Sequence, residues 1–171
     1  TSNKIRNMAV CAADWLRDIQ EDDGNIPPII SPYTHSALRV TWTALTFAAW
    51  ALAEFGNTIK NSDYILTAQK SFNFAKHSFR QIGHANIPLQ ALVYFGHLSL
   101  ELGDLTTALE TGGEILNALH RTKPEPILLG TAVTFLKLLE KHDEKMGRKA
   151  IQLSYLLREE FEKRIKGDHE I

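Results

Sequence analysis

Apolar residues recur at three- and four-residue intervals along almost the whole of this 171-residue chain, and no other feature constrains the fold so strongly. That spacing lines one face of an α-helix, whereas a half-buried strand needs strict alternation. Alternating β-rich runs joined by Asn-Gly or Asp-Gly turns are missing, so the chain reads as all-α. With 44% of its residues hydrophobic it can bury a sizeable core, and the composition excludes disorder.

Glycine, proline and Asx residues divide the chain into about seven helices. The first runs from near Asn3 to Gln20, with Ile5, Met8, Ala12, Trp15, Leu16 and Ile19 on one stripe, and stops at Glu21-Asp22-Asp23-Gly24. Pro27, Pro28 and Pro32 then force a loop, because proline removes backbone donors and holds its neighbours extended. The second helix, from about His35 to Phe55, is apolar nearly all round and is expected to be enclosed by others, with Gly56 as its left-handed cap. Ser62 or Asp63 is expected to cap a third helix reaching about Phe79. A fourth spans about Ala85 to Leu102 and ends at Gly103. Asp104 caps a fifth that fades near His120, Pro126 sits in the first turn of a sixth, and a charged seventh runs to about Lys166.

The helices form a repeat. Ala13, Ala68, Ala108 and Ala150 occupy comparable places in the outer helices, at separations of about 40 to 55 residues. The even helices end alike, in Leu52-Ala53-Glu54-Phe55-Gly56, Leu100-Glu101-Leu102-Gly103 and Leu138-Leu139-Glu140-Lys141-His142. The expected architecture is a set of antiparallel hairpins, an α/α superhelix or partial toroid, with the second, fourth and sixth helices inside. Residues 1–171 are read as a single α/α-hairpin domain. The stretch Leu92 to Ala108 also resembles a tetratricopeptide repeat, although the spacing exceeds the roughly 34 residues of that repeat.

Ala12-Ala13-Asp14-Trp15-Leu16, then Ile19-Gln20, the Asp23-Gly24 turn, the proline loop, Tyr33-Thr34-His35-Ser36 and Thr41-Trp42-Thr43-Ala44-Leu45 resemble a hairpin of the α/α-toroid proteins. That group includes six-hairpin glycosidases, glucuronyl epimerases, polysaccharide lyases and the squalene cyclase and prenyltransferase relatives. The resemblance implies inner helices that line a cavity and loops that carry binding and catalytic groups. A ring of six hairpins needs about twelve helices. Seven do not close it, so a toroid here implies completion by further chain or by a second copy.

The candidate residues cluster around the proline loop. Asp22 and Asp23 stand beside Gly24, where loop carboxylates facing a cavity would serve as acid and base in glycoside chemistry; adjacent residues rarely face one site together, and the alternative is a plain solvated turn that stops the helix. With His35 they form the candidate catalytic set. Tyr33, Arg39 and Trp42 are candidate substrate-binding residues, because His35, Arg39 and Trp42 fall on one helical face; the alternative makes Trp42 core and Arg39 an ion-pair partner. His84, Asn86, Gln90 and Tyr94 follow on the fourth helix and are expected to flank His35 in one groove. Two histidines fall short of a zinc site, so no metal and no cofactor are expected. His77, His97, His120, His142 and His169 read as surface or satisfied, partly buried positions.

Nineteen basic residues against 20 acidic ones leave a net charge of -1 and no field to draw in nucleic acid or an anionic membrane. No apolar run approaches the roughly 20 residues of a membrane span, and the first residues lack a signal-peptide layout. Cys11, the one cysteine, lies among apolar neighbours where an inert thiol is expected. A cytoplasmic location is expected. Two functions remain: a toroid-like module that handles a carbohydrate or other polar metabolite, as part of a polysaccharide-acting enzyme or as a binder, and a non-catalytic tetratricopeptide-like scaffold for a protein partner or homodimer.

Overall fold

The computed structural model describes residues 2–27, 41–121, 125–144, 147–149, 151, 152, 155 and 159. Among them the regular structure is entirely helical: α1 (Ser2–Asp18), α2 (Trp42–Ile59), α3 (Ser62–Ile82), α4 (Leu89–Glu101), α5 (Leu105–Arg121) and α6 (Pro126–Leu138), with 3-10 turns at His84–Asn86 and Leu139–Lys141. Every described residue between 144 and 159 is helical too, where the sequence places the seventh helix.

The even-numbered helices make one layer, in which α4 packs between α2 and α6. In the other layer α3 covers α2, α5 covers α4, and α1 joins through α3. Helices α2 and α4 run parallel, since Phe47 meets Tyr94 and Trp50 meets His97 at the same sequence offset. This is the alternation of a hairpin repeat.

The core lies between the layers. Ala68, Phe72, Ala75 and Phe79 recur at helical spacing and are all buried, presenting one face of α3. Phe95 of α4 lies 5.1 Å from the Phe72 ring and 5.0 Å from the Phe79 ring. Burying each phenyl group contributes about 1.5–3 kcal/mol. The buried hydroxyls of Thr46, Ser99 and Thr111 donate to the carbonyls one turn back, at 2.8, 2.7 and 2.7 Å, so none is left unsatisfied in the core. At the α4–α6 contact a Cβ on Gly96 would stand 2.5 Å from the Phe135 ring, so only glycine admits that approach.

Several helix ends fall where the sequence puts them. Gly103 is left-handed, at φ 76°. Asp104 caps α5, accepting the Thr107 N–H at 3.0 Å and its hydroxyl at 2.8 Å, and pairs with Lys76 of α3 at 2.7 Å. Others differ. Helix α2 starts at Trp42 and not near His35, because Thr41 is extended (φ -120°, ψ 120°). It then runs through Gly56, and Lys60 adopts the left-handed cap at φ 58°. Gly56 serves contact instead: a Cβ there would meet the Ile65 side chain at 2.9 Å. The cap of α3 is Asn61, one residue earlier than expected, whose side chain accepts from the N–H groups of Asp63 and Tyr64. Pro88, with no N–H to give, delays α4 to Leu89. Gly112 and Gly113 lie within an unbroken α5, and a Cβ on Gly113 would meet open space.

Polar tethers hold α1 to α3. Tyr64 donates to Asp14 at 2.8 Å, Gln20 donates to the Thr67 carbonyl at 2.8 Å, and Ser71 donates to the Gly24 carbonyl at 2.7 Å. Ala13 is buried, while Ile5, Met8 and Trp15 of the apolar stripe are exposed. Gly24 has φ 97°, and a Cβ on it would collide with the Lys70 carbonyl. Gly24→Ala is therefore expected to lower stability in urea by about 2–3 kcal/mol; a loss below about 0.5 kcal/mol would contradict the docking of this turn on α3.

Burial alone raises the Asp104 carboxyl, but the Lys76 ammonium and the Thr107 N–H and hydroxyl outweigh it, leaving the pKa below the ordinary 3.8. A depressed carboxylate stabilises the fold above its unfolded pKa and loses that contribution as pH falls through the folded one. The thermal midpoint of Asp104→Asn should therefore fall less steeply than that of the wild type below about pH 4. Equal slopes would show that the Asp104 pair contributes nothing.

Candidate functional site

The described chain holds the candidate residues of the sequence in four separate places. Asp22 and Asp23 are exposed in the turn after α1. Asp23 accepts the Asn25 N–H at 2.9 Å, Asn25 donates to Glu21 at 2.6 Å, and Gly24 donates to the Glu21 carbonyl at 2.9 Å, which makes this a closed turn. Asp22 borders a polar cleft of about 390 Å³ between α1 and α3, together with Arg17, Asp63 and Lys70. Arg17 is already engaged there, by Asp14 and Asp18 at 2.9 Å each.

Tyr33, His35 and Arg39 lie outside the described residues. The helical face that would join them to Trp42 does not extend back past Thr41, which is extended. Trp42, partly buried, packs against the core towards α3, edge-on to Phe79 at 5.4 Å and tilted on Phe74 at 6.1 Å.

His84, Asn86, Gln90 and Tyr94 do not form one path. Gly83 (φ 78°), the 3-10 turn and Pro88 change the register between them. His84 lines a cleft of about 370 Å³ between the start of α4 and α5, with Glu114 and Arg121 at its polar side. Asn86 donates to the Ile82 carbonyl at 2.7 Å and ties off the end of α3. Gln90 and Tyr94, one turn apart on α4, do meet: the amide donates to the phenol oxygen at 3.0 Å.

Around that pair the structure assembles an aromatic row that crosses the even layer. Tyr94 lies 5.1 Å from Phe47 and 5.8 Å, stacked, from Trp50; both are on α2. Trp50 stacks on His97 at 4.4 Å, and His97 meets Phe135 of α6 at 5.3 Å. Phe47 is 51% exposed, Trp50 and Tyr94 are half-buried, and His97 and Phe135 are buried. Polar groups border the row. Gln90 lies at one end, and beyond the other Asn57 donates to the Glu101 carboxylate at 3.1 Å.

Phe47, Trp50, His97 and Phe135 are not among the residues that the sequence singled out for function. A signal was nevertheless present: Phe47 and Trp50 precede Gly56 by the same steps as Tyr94 and His97 precede Gly103. His97 also departs from the expected satisfied or surface position, since it is buried and its Nε2 has no hydrogen-bond partner. Burial pushes its pKa below the ordinary 6.5, against the pull of the Thr131 backbone and the Glu101 charge. Cys11 is exposed and not enclosed by its apolar neighbours.

Among the described residues no three His, Cys, Asp or Glu side chains converge to hold a metal ion, and no helix is long and apolar enough to cross a membrane. In comparisons with protein-family models, curated proteins and solved structures, nothing matches the chain.

The two turn carboxylates separate experimentally. Asp23→Ala should lower stability by about 1 kcal/mol through the lost bond to Asn25, and Asp22→Ala by less than about 0.5 kcal/mol. Equal losses in urea denaturation would contradict the turn geometry.

Proposed function

We propose that this chain is an α/α-hairpin module that binds a carbohydrate or a comparable polar metabolite on the aromatic row of its even helices. The observation that carries this reading is the partly exposed group Phe47, Trp50 and Tyr94, mutually packed and bordered by Gln90, with the Asn57–Glu101 pair further along the same two helices. One face of a sugar ring presents C–H groups that are apolar and slightly positive, and they suit the negative face of an aromatic ring. The hydroxyls around the sugar's edge need donors and acceptors, which amide and carboxylate side chains supply. Each such stack is worth on the order of 1 kcal/mol. Two or three in line fit a chain of sugars better than a single ring.

The resemblance to α/α-toroid proteins points the same way, because their inner helices line the cavity and the even helices alternate as inner helices do. The proposal concerns binding and assigns no reaction. A second reading, a scaffold for a protein partner, draws support from α6, where Ile127 is 84% exposed and Leu138 48% exposed, extending the surface with aliphatic groups.

Calorimetric titration with cellohexaose, xylohexaose and an oligogalacturonate tests the first reading. At least one should bind at millimolar concentration or tighter. Trp50→Ala and Tyr94→Ala should each weaken it by about tenfold, as loss of one stack of about 1.4 kcal/mol would. No binding by any of the three, or binding indifferent to both variants, would contradict the aromatic row as a sugar site.

A further inference from the structure

We propose that His97 is a positioning residue for this aromatic row, holding the Trp50 indole in place as a neutral ring and releasing it when protonated, so that ligand binding weakens in acid. The inference rests on the reading of the row as the ligand site and adds its regulation.

The geometry leaves the ring little freedom. His97 lies nearly parallel to Trp50, at 4.4 Å and 16°, with Phe135 on another side at 5.3 Å. Gly96, next along α4, lets Phe135 come this close, since a Cβ there would stand 2.5 Å from that ring. The indole that Phe47 and Tyr94 meet is thus also held by an imidazole, in the shortest ring contact of the three.

Protonation puts a donor on both imidazole nitrogens. Nε2 is buried and makes no hydrogen bond, and the Thr131 backbone, which favours the charged ring, does not offset the burial of that charge. A buried unmet donor on a charged ring is unfavourable, and rotating the ring outwards to water relieves it while ending the stack on Trp50. A cation above an indole face gains attraction from the π system. Neither that gain nor the Thr131 backbone and the Glu101 charge outweighs burial, which favours the neutral ring.

No other group on the packed elements offers compensation by titrating in the same range. From α2 the ring faces Trp50, and from α6 it faces Phe135 and the Thr131 backbone, none of which changes charge in weak acid. On α4 itself, Tyr94 is a phenol, and Glu101 is exposed and bonded to Asn57 at 3.1 Å. Among the described residues, Glu101 is the charge acting on the ring.

The test is a titration of the whole chain from about pH 8 to about pH 4.5, the range in which histidine switches. Tryptophan fluorescence and the His97 ring signals in NMR are read for the wild type, His97→Gln and Trp50→Phe. The wild type should show a fluorescence step centred below the ordinary histidine value of 6.5 and coincident with titration of the His97 ring. The step should be absent from both variants, while the ring still titrates in Trp50→Phe. An oligosaccharide that binds at pH 8 should bind about tenfold more weakly for each pH unit below the ring's own pKa. A wild-type curve superimposed on that of His97→Gln, or a ring titrating at or above 6.5, would overturn the proposal. Should His97→Gln fail to fold, the ring titration with Trp50→Phe decides alone. Sugar binding that is absent already at pH 8 contradicts the site, whereas sugar binding that is present but constant down to pH 4.5 contradicts only the role of His97.

Discussion

The packing of α4 sets the terms for the rest of the structure. Ala91, Leu92, Val93 and the whole run from Phe95 to Ser99 are buried, and the helix has α2, α3, α5 and α6 around it. A helix apolar over most of its circumference is stable only when neighbours cover most of it. The sizes of successive side chains then decide which neighbour comes how close. Phe95 fills the space towards Phe72 and Phe79 of α3, Gly96 leaves room for Phe135 of α6, and His97 lies under Trp50 of α2.

This arrangement explains why the even helices carry the functional candidate. Their cores are occupied by α3 and α5, so the remaining side of the layer is where Phe47, Trp50 and Tyr94 are partly open to solvent. The row is built on regular helices held by interlocked aromatic rings, and a stacking surface needs such rigid support. The clefts beside Asp22 and His84 lie elsewhere, between α1 and α3 and between α4 and α5. They are bounded by side chains already bound to their own elements, such as Arg17 to Asp14 and Arg121 to the Asn117 carbonyl.

What the sequence made legible was local. Helical periodicity gives the all-α class, Gly103 and Asp104 mark the α4–α5 junction, and Pro126 opens α6, because each acts through its own backbone. The Gln90–Tyr94 pair follows from one turn of helix. Legibility ended where a distant neighbour decides. Gly56 looks like a cap until Ile65 is placed against it, and the turn at Asp23 looks open until Gly24 docks on Lys70. His97 reads as one scattered histidine among several; only the parallel pairing of α2 with α4 sets it against Trp50. The stripe Ile5, Met8 and Trp15 illustrates the same limit, for its periodicity correctly marks a helix but does not say that polar tethers on the other side dock it.

Helices α2, α4 and α6 form one layer whose rings are in mutual contact. Aromatic nuclear Overhauser effects measure this directly. Cross-peaks are expected from the Trp50 indole to both the Tyr94 and His97 rings, and from His97 to Phe135, at neutral pH. If Trp50 shows none of these contacts while Phe72 and Phe79 show theirs to Phe95, the even helices do not pack in this register and the aromatic row does not exist.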